Sequence, residues 1–430
     1  MDDDRPMIDP VAMQRALRTR LTRRRLLRNT GIGVAGFSLA SLLAACGSDN
    51  DGGATGETAT PEDVFSGEPG DTLNFANWPA YMDQAKDKDG NVYHPSLRVF
   101  QQRTGIEVNY SDEINDNAEF FGKIQPLLAG GDDPGRDLIV ITNGRYFTAL
   151  TQNGWVYELD PSKRPNFDAN AASWAKDPFY DPGNKFGMAW QSGITGIGFN
   201  TKQVNGEITK MDDLADPAKV GTSSVGMLEG DMGDWVMINL GIDPVTSGPD
   251  EWKEAAAWLK MQQESGTVRA YYGNDYLPDL QEGNLNAAMA WSGDVLYSAI
   301  WLGLDMQYVF PEGGALLWID NMLVPAGAQN PVGAAEIMDF YYDPEIATML
   351  TEWILYMSPV PATRELIKKD AEKNFDQGYK GYANRLQATA ENEFLYPSEE
   401  FLGRTTFGFG DWTDESAEEW DAIFLPISQG

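Results

Sequence analysis

Short β-prone runs recur along the chain with helical stretches between them. The runs fall at 72–76 (TLNFA), 106–110 (IEVNY), 137–142 (DLIVIT), 196–200 (GIGFN), 225–228 (VGML), 287–291 (AAMAW), 307–310 (QYVF) and 315–319 (ALLWI). Residues 250–263 (DEWKEAAAWLKMQQ) open on acids and repeat apolar residues at helical spacing. Residues 344–357 (PEIATMLTEWILYM) begin with Pro at a first helical position. Strands alternating with helices predict an α/β architecture with mainly parallel sheets. About 360 residues of this pattern suit two lobes, although periodicity alone does not place their boundary.

The N-terminal pattern differs. Arg18, Arg20, Arg23, Arg24, Arg25 and Arg28 precede an uncharged run at 31–45 (GIGVAGFSLASLLAA). Fifteen residues are short for a bilayer span and suit the apolar region of an export signal. Thr22-Arg23-Arg24-Arg25-Leu26-Leu27-Arg28 resembles a twin-arginine signal. Leu43-Ala44-Ala45-Cys46-Gly47 resembles a bacterial lipobox, which implies cleavage before Cys46 and a lipid on its thiol. Gly31-Ile32-Gly33-Val34-Ala35-Gly36 matches a dinucleotide-binding fingerprint by letter. It lacks the preceding strand that such a site needs, and processing would remove it. Residues 47–70 are rich in Gly, Thr and acids. They read as a tether with an r.m.s. reach of about 25 Å.

Charge and composition narrow the chemistry. The 430 residues hold 32 Lys and Arg against 65 Asp and Glu, a net charge of −33. Residues 1–45 carry eight Arg and four Asp, so the processed chain is more acidic still, at −37. Such a chain is repelled by nucleic acid, and a cationic ligand is permitted. One cysteine and one histidine, Cys46 and His94, exclude an internal disulfide, a Cys/His zinc site and HExxH chemistry. A Ser-His-Asp site would rest on His94 alone, and no GxSxG supplies its serine. No metal or cofactor is expected. Asp87-Lys88-Asp89-Gly90 fails as a calcium loop, so Asp83, Asp87 and Asp89 read as a solvated helix end.

Aromatic residues cluster with acids where strands end. Asn77-Trp78-Pro79-Ala80-Tyr81 follows the first run. Glu229-Gly230-Asp231-Met232-Gly233-Asp234-Trp235 follows 225–228. Trp291-Ser292-Gly293-Asp294 and Trp318-Ile319-Asp320-Asn321 close two others. Open α/β sheets bind ligands at these strand ends. Taken singly, each Trp is explained by packing and each Asp by helix capping. Together, carboxylates beside ring faces suit ammonium groups, through charge-assisted hydrogen bonds and cation–π attraction. Rings also stack on methylene chains, so an aliphatic amine satisfies such a pocket.

From about Leu73 to Ala422 the chain resembles the spermidine/putrescine-binding proteins of bacterial ABC importers. The resemblance rests on Asn77-Trp78 with Tyr81, Thr104-Gly105-Ile106, Asp137-Leu138-Ile139-Val140 and Gly196-Ile197-Gly198-Phe199-Asn200. It continues with Trp291-Ser292-Gly293, Pro311 through Asp320, and Asp343-Pro344-Glu345 with Tyr356. It implies a two-lobe, hinged periplasmic-binding-protein fold of type II. Lobe 1 would comprise 71–192 plus 316–357, and lobe 2 would comprise 193–315 plus 358–430. It implies an ABC permease as partner and a polyamine as ligand. Trp78, Tyr81, Trp291, Trp318 and Tyr356 would be the aromatic contacts. Asp231, Asp234 and Asp320 would be the acids. Thr142, Arg145 and Trp235 are further candidates.

Two departures bear on the ligand. The acid often found before the first tyrosine is Ala80 here, and the loop after Val140 reads Ile141-Thr142-Asn143-Gly144-Arg145. Arg145 either faces outward and pairs with surface acids or points inward. An inward cation would cost a ligand ammonium roughly 4 kcal/mol at 4 Å and an effective dielectric near 20. It would favour an amino-acid-like ligand that also carries a carboxylate. A secreted enzyme using paired acids is the remaining alternative.

The anchor is testable at once. Cys46→Ala should move the exported protein from the membrane fraction to the soluble fraction. A variant that still pellets with membranes contradicts lipidation at Cys46.

Overall fold

Residues 138–141 are fully buried, as expected of a strand covered by helices on both faces. The computed structural model describes residues 60–429 other than Lys88 and Trp412. The export signal, the lipobox and Cys46 lie outside them. Among the described residues twelve strands occur: β1 (Thr72–Ala76), β2 (Ala85–Lys86), β3 (Val92–Tyr93), β4 (Glu107–Ser111), β5 (Leu138–Thr142) and β6 (Gly187–Asn200), then β7 (Val225–Leu228), β8 (Val268–Tyr272), β9 (Ala287–Trp291), β10 (Met306–Val309), β11 (Ala315–Leu323) and β12 (Thr405–Phe407). β2 and β3 form a separate ribbon.

The other strands pair in the order β4-β1-β5-β11-β6-β9-β7-β8, with β10 on β6 and β12 on β11. β1, β4 and β5 are mutually parallel, and so are β9, β7 and β8. Between these two parallel groups run β6 and β11, the two long strands, antiparallel to each other. The early half of β6 pairs with β11, and its later half pairs with β9 and β10. Met357 pairs with Ser192 beside them. Three stretches of chain thus run side by side between two hydrophobic cores. One core holds Phe75, Phe100, Ile139, Phe147 and Trp353, and the other holds Ile197, Trp235, Leu259 and Met289. The α/β architecture with parallel sheets is as expected.

Several expectations change. β6 begins at Gly187 rather than at 196, and β8 and β12 were not anticipated. The helix expected over 344–357 ends at Ile354, because Leu355 takes a left-handed φ of 57°. That conformation costs a β- or γ-branched side chain about 1–2 kcal/mol, and it turns Tyr356 out of the helix axis. Residues 60–70 are not all tether. Thr60 caps the short helix Pro61–Val64, Phe65 is fully buried in the first core, and the Gly70 amide donates to Asn330 Oδ1 at 2.9 Å. Residues 360–395, expected with the second lobe, pack in the first core through Val360, Ile367, Leu386 and Leu395. Ile367 and Ala371 sit one turn apart on the helix Thr363–Asp376, so one stripe faces that core. Asp83 is fully buried, not solvated, and accepts from the Ser96 amide at 2.8 Å. His94 has a structural place, with Nδ1 2.8 Å from the Asp83 carbonyl oxygen. No helix among the described residues is long and apolar enough to cross a membrane.

Candidate functional site

The strand ends converge on one cavity of about 450 Å³. Trp78 and Tyr81 reach it from the loop after β1. The backbone of Ala80 has a φ of 62°, a left-handed turn that reverses the chain just before Tyr81. Thr142 ends β5 and Arg145 follows it, Asp231 and Asp234 follow β7, and Trp291 ends β9 with Asp294 just beyond. Trp318 and Asp320 come from β11 itself, and Tyr356 from the turn beyond the Pro344–Ile354 helix. Thus Trp78, Tyr81, Asp231, Asp234, Trp291, Trp318, Asp320 and Tyr356 line one space, together with Thr142 and Arg145. Trp235 does not. It is fully buried in the second core, since the helix Met232–Asn239 turns Asp234 to the cavity and its next residue inward.

Rings frame the acids. Trp78 and Trp291 meet edge-to-face with centroids 6.3 Å apart, and Tyr356 packs against Tyr81 at 5.2 Å and Trp318 at 5.4 Å. Two glycines make this packing possible. A Cβ on Gly193 would lie 2.5 Å from the Trp318 ring, and one on Gly293 would lie 2.6 Å from the Tyr356 ring. The Trp78 indole is fixed by donating to the Val140 carbonyl at 3.0 Å.

Asp320 is 5% exposed. Its Oδ2 accepts from the Tyr81 hydroxyl at 2.8 Å and its Oδ1 from Thr142 Oγ1 at 2.7 Å. Asn117 in turn donates to Thr142 Oγ1 at 2.8 Å. Across the cavity, Asp231 Oδ2 accepts from Thr195 Oγ1 at 2.6 Å and from Trp291 Nε1 at 2.9 Å. Trp318 Nε1 donates to the same Thr195 hydroxyl at 3.2 Å, so one short network ties β6, β9 and β11. Asp234 accepts from the Phe409 amide at 3.0 Å.

Burial dominates the titration of these acids. It pushes Asp320 up to about 7, against the hydrogen bonds from Thr142 and Tyr81 and with help from the charge on Asp231. Burial likewise pushes Asp234 up to about 7, opposed by the Phe409 amide and Arg145. Asp231 is raised for the same first reason. The cavity therefore holds carboxyl groups that are only partly ionised near neutral pH.

Other lining residues were not foreseen. Asp294 belonged to a quoted motif but was not nominated, and it accepts from Tyr276 at 3.2 Å. Asp116 caps the helix Asn117–Gly130 and also borders the cavity. Trp420 and Asp421 come from the helix Asp414–Ser428, far along the chain from every strand-end motif. Arg145 lies on the cavity wall with its side chain 14% exposed and faces Asp421 at 3.8 Å, so the outward orientation does not apply.

A two-core α/β chain with its cavity at the strand ends is the architecture of a solute-binding protein. The family model for bacterial extracellular solute-binding proteins matches residues 97–376, and the chain belongs to that family. The spermidine/putrescine-binding periplasmic protein of Escherichia coli strain K12 is 25% identical over 363 residues, which cover 84% of this chain and 92% of that protein. The putrescine-binding periplasmic protein SpuD of Pseudomonas aeruginosa is 29% identical over 385 residues, covering 83% and 97%. The solved structure of the Tp0655 (TpPotD) lipoprotein of Treponema pallidum shares the fold, with a TM-score of 0.64 at 17% identity over 84% of this chain and all of that one. The PotD substrate-binding protein of Streptococcus pneumoniae aligns with a TM-score of 0.62 at 21% identity, covering 84% and 99%. The chain is accordingly a bacterial extracellular solute-binding protein rather than an enzyme, which removes the acid–base alternative.

The raised carboxyls make stability depend on pH. Asp320 keeps its proton to about 7 when folded, whereas its ordinary value is 3.8. Between these values the unfolded chain binds fewer protons, so stability falls as pH rises, by up to about 1.4 kcal/mol per pH unit for each such group. Asp320→Asn should flatten the slope of unfolding free energy by about that amount between roughly pH 5 and 6.5, measured by urea titration without ligand. An unchanged slope would place an ionised Asp320 in the empty protein.

Proposed function

We propose that this chain captures a linear polyamine of the putrescine or spermidine kind outside the cytoplasm and presents it to the permease of an ABC importer. The observation that carries the reading is Asp320, a buried carboxyl among Trp318, Tyr81 and Tyr356 with Asp231 across the cavity. An ammonium at Asp320 would displace its proton and form a charge-assisted pair in a dry site. The rings beside it would stack on the methylenes, and Asp231 would receive the second ammonium. The names of the relatives from Escherichia coli and Pseudomonas aeruginosa support the same ligand class.

Binding would draw the two lobes together about the three adjacent passes at Ser192–Thr195, Leu316–Ile319 and Met357, with no covalent step. Residues 60–192, 316–323 and 331–395 would move as one lobe, and 195–295 with 401–429 as the other. The twin-arginine signal would export the chain, and a lipid on Cys46 would hold it at the outer face of the cell membrane.

Putrescine or spermidine at a hundred-fold excess over Kd should stabilise the protein by about 2.7 kcal/mol, a rise of a few degrees in melting temperature. Asp320→Asn should weaken that binding about thirty-fold or more, since losing one partner of a desolvated charge pair costs about 2–5 kcal/mol. A shift with glucose and none with any amine contradicts the proposal, as does an unchanged affinity in the variant.

A further inference from the structure

The cavity contains a cation of the protein's own. Arg145 opens the helix Arg145–Gln152 on the first core, and its guanidinium carbon lies 4.7 Å from the ring centroid of Trp420 and 5.5 Å from that of Tyr146. Its Nη1 lies 3.8 Å from Asp421 Oδ1. Trp420 and Asp421 belong to the helix Asp414–Ser428, which packs in the second core. A cation over a ring face and opposite a carboxylate is the arrangement in which rings and acids hold an ammonium ligand. Here a side chain already fills it.

The groups follow one another along the cavity. The charge of Asp231 acts on both Asp320 and Asp234, and the charge of Arg145 acts on Asp234. Contacts trace the same sequence: Thr195 joins Asp231 to Trp318 beside Asp320, Asp234 lies one helical turn beyond Asp231 and accepts from the Phe409 amide, and Phe409 stacks at 5.6 Å on the Trp420 ring that Arg145 covers, so the order is Asp320, Asp231, Asp234, Arg145. We propose that Arg145 occupies the far cation subsite and limits ligand length, so that the pocket takes a short diamine at the Asp320–Asp231 end and rejects a longer polyamine whose next ammonium would lie against the guanidinium. The inference rests on the polyamine reading and makes Arg145 a specificity-determining residue within it. A ligand carboxylate at Arg145 is disfavoured, because Asp421 already faces the guanidinium and Asp116 and Asp234 line the same space. Like charges held together without intervening water repel strongly.

The test measures putrescine and spermidine binding by calorimetry on the wild type, Arg145→Gln, Arg145→Lys and Asp421→Asn. The melting temperature of each empty variant serves as the folding control. The wild type should prefer putrescine by at least tenfold. Arg145→Gln should shift the ratio toward spermidine by tenfold or more, since the acids at that end then accept the extra ammonium. Arg145→Lys keeps the charge and should keep the preference. Asp421→Asn leaves Arg145 less neutralised and should widen the preference for putrescine, which keeps the inference testable even if Arg145→Gln folds poorly. Polyamines bound with the same ratio in Arg145→Gln overturn the length filter and leave the polyamine reading standing. Binding of neither amine by any form overturns both. Binding of γ-aminobutyrate by the wild type, lost in Arg145→Gln, overturns the inference by making Arg145 a carboxylate contact.

Discussion

A buried acid with too few partners is the constraint around which this cavity is built. Asp320 is removed from water among aromatic rings, and among the described residues its donors are two hydroxyls, those of Tyr81 and Thr142. Hydroxyl hydrogen bonds recover part of the lost solvation and leave the charged form short of compensation. The carboxyl is therefore pushed up to about 7 and stays about half protonated near neutrality. The same holds for Asp234 behind its single backbone donor. On the proposed function, a ligand ammonium would supply what the protein withholds. The proposed affinity for a cation and the loss of stability with rising pH would be two consequences of one arrangement.

The strands exist to hold that arrangement. β11 carries Trp318 and Asp320 on consecutive inward positions while pairing with β5 on one side and β6 on the other. Thr195 on β6 ties Asp231 to Trp318, so the acid from one core is referenced to the ring from the strand shared by both. Gly193 and Gly293 keep the backbone low enough for Trp318 and Tyr356 to stack over it. A methyl group at either position would force a ring from its place on the cavity wall.

Much of this was legible before the structure because β-prone runs end in turn residues, and open sheets place their ligands at those ends. Trp78, Asp231 and Trp291 follow that rule, whereas Asp320, expected just past the run 315–319, lies within β11, which continues to Leu323. What escaped reading depends on contacts distant in sequence. Trp235 shares a motif with Asp231 and Asp234, but the helical turn sends it to the core, and letter proximity does not reveal the face. Trp420 and Asp421 sit on a helix whose stripe reads as ordinary packing, and only the fold brings them opposite Arg145. Tyr356 was expected within a helix, yet the left-handed Leu355 releases it. The early part of β6 holds two glycines and few β-branched residues, so its strand character comes from β11 rather than from local preference. Phe65 is a single apolar residue in a polar segment, too weak a signal to mark where the folded body begins.

The central claim is that a ligand ammonium replaces protons on buried carboxyls. Putrescine titrated into the protein at pH 6.5, in two buffers of different ionisation enthalpy, reports the protons exchanged on binding. With Asp320 and Asp234 both pushed up to about 7, roughly one proton or more should be released per putrescine bound. Binding with no proton release would mean that these carboxyls are already ionised in the empty cavity, and it would contradict the account.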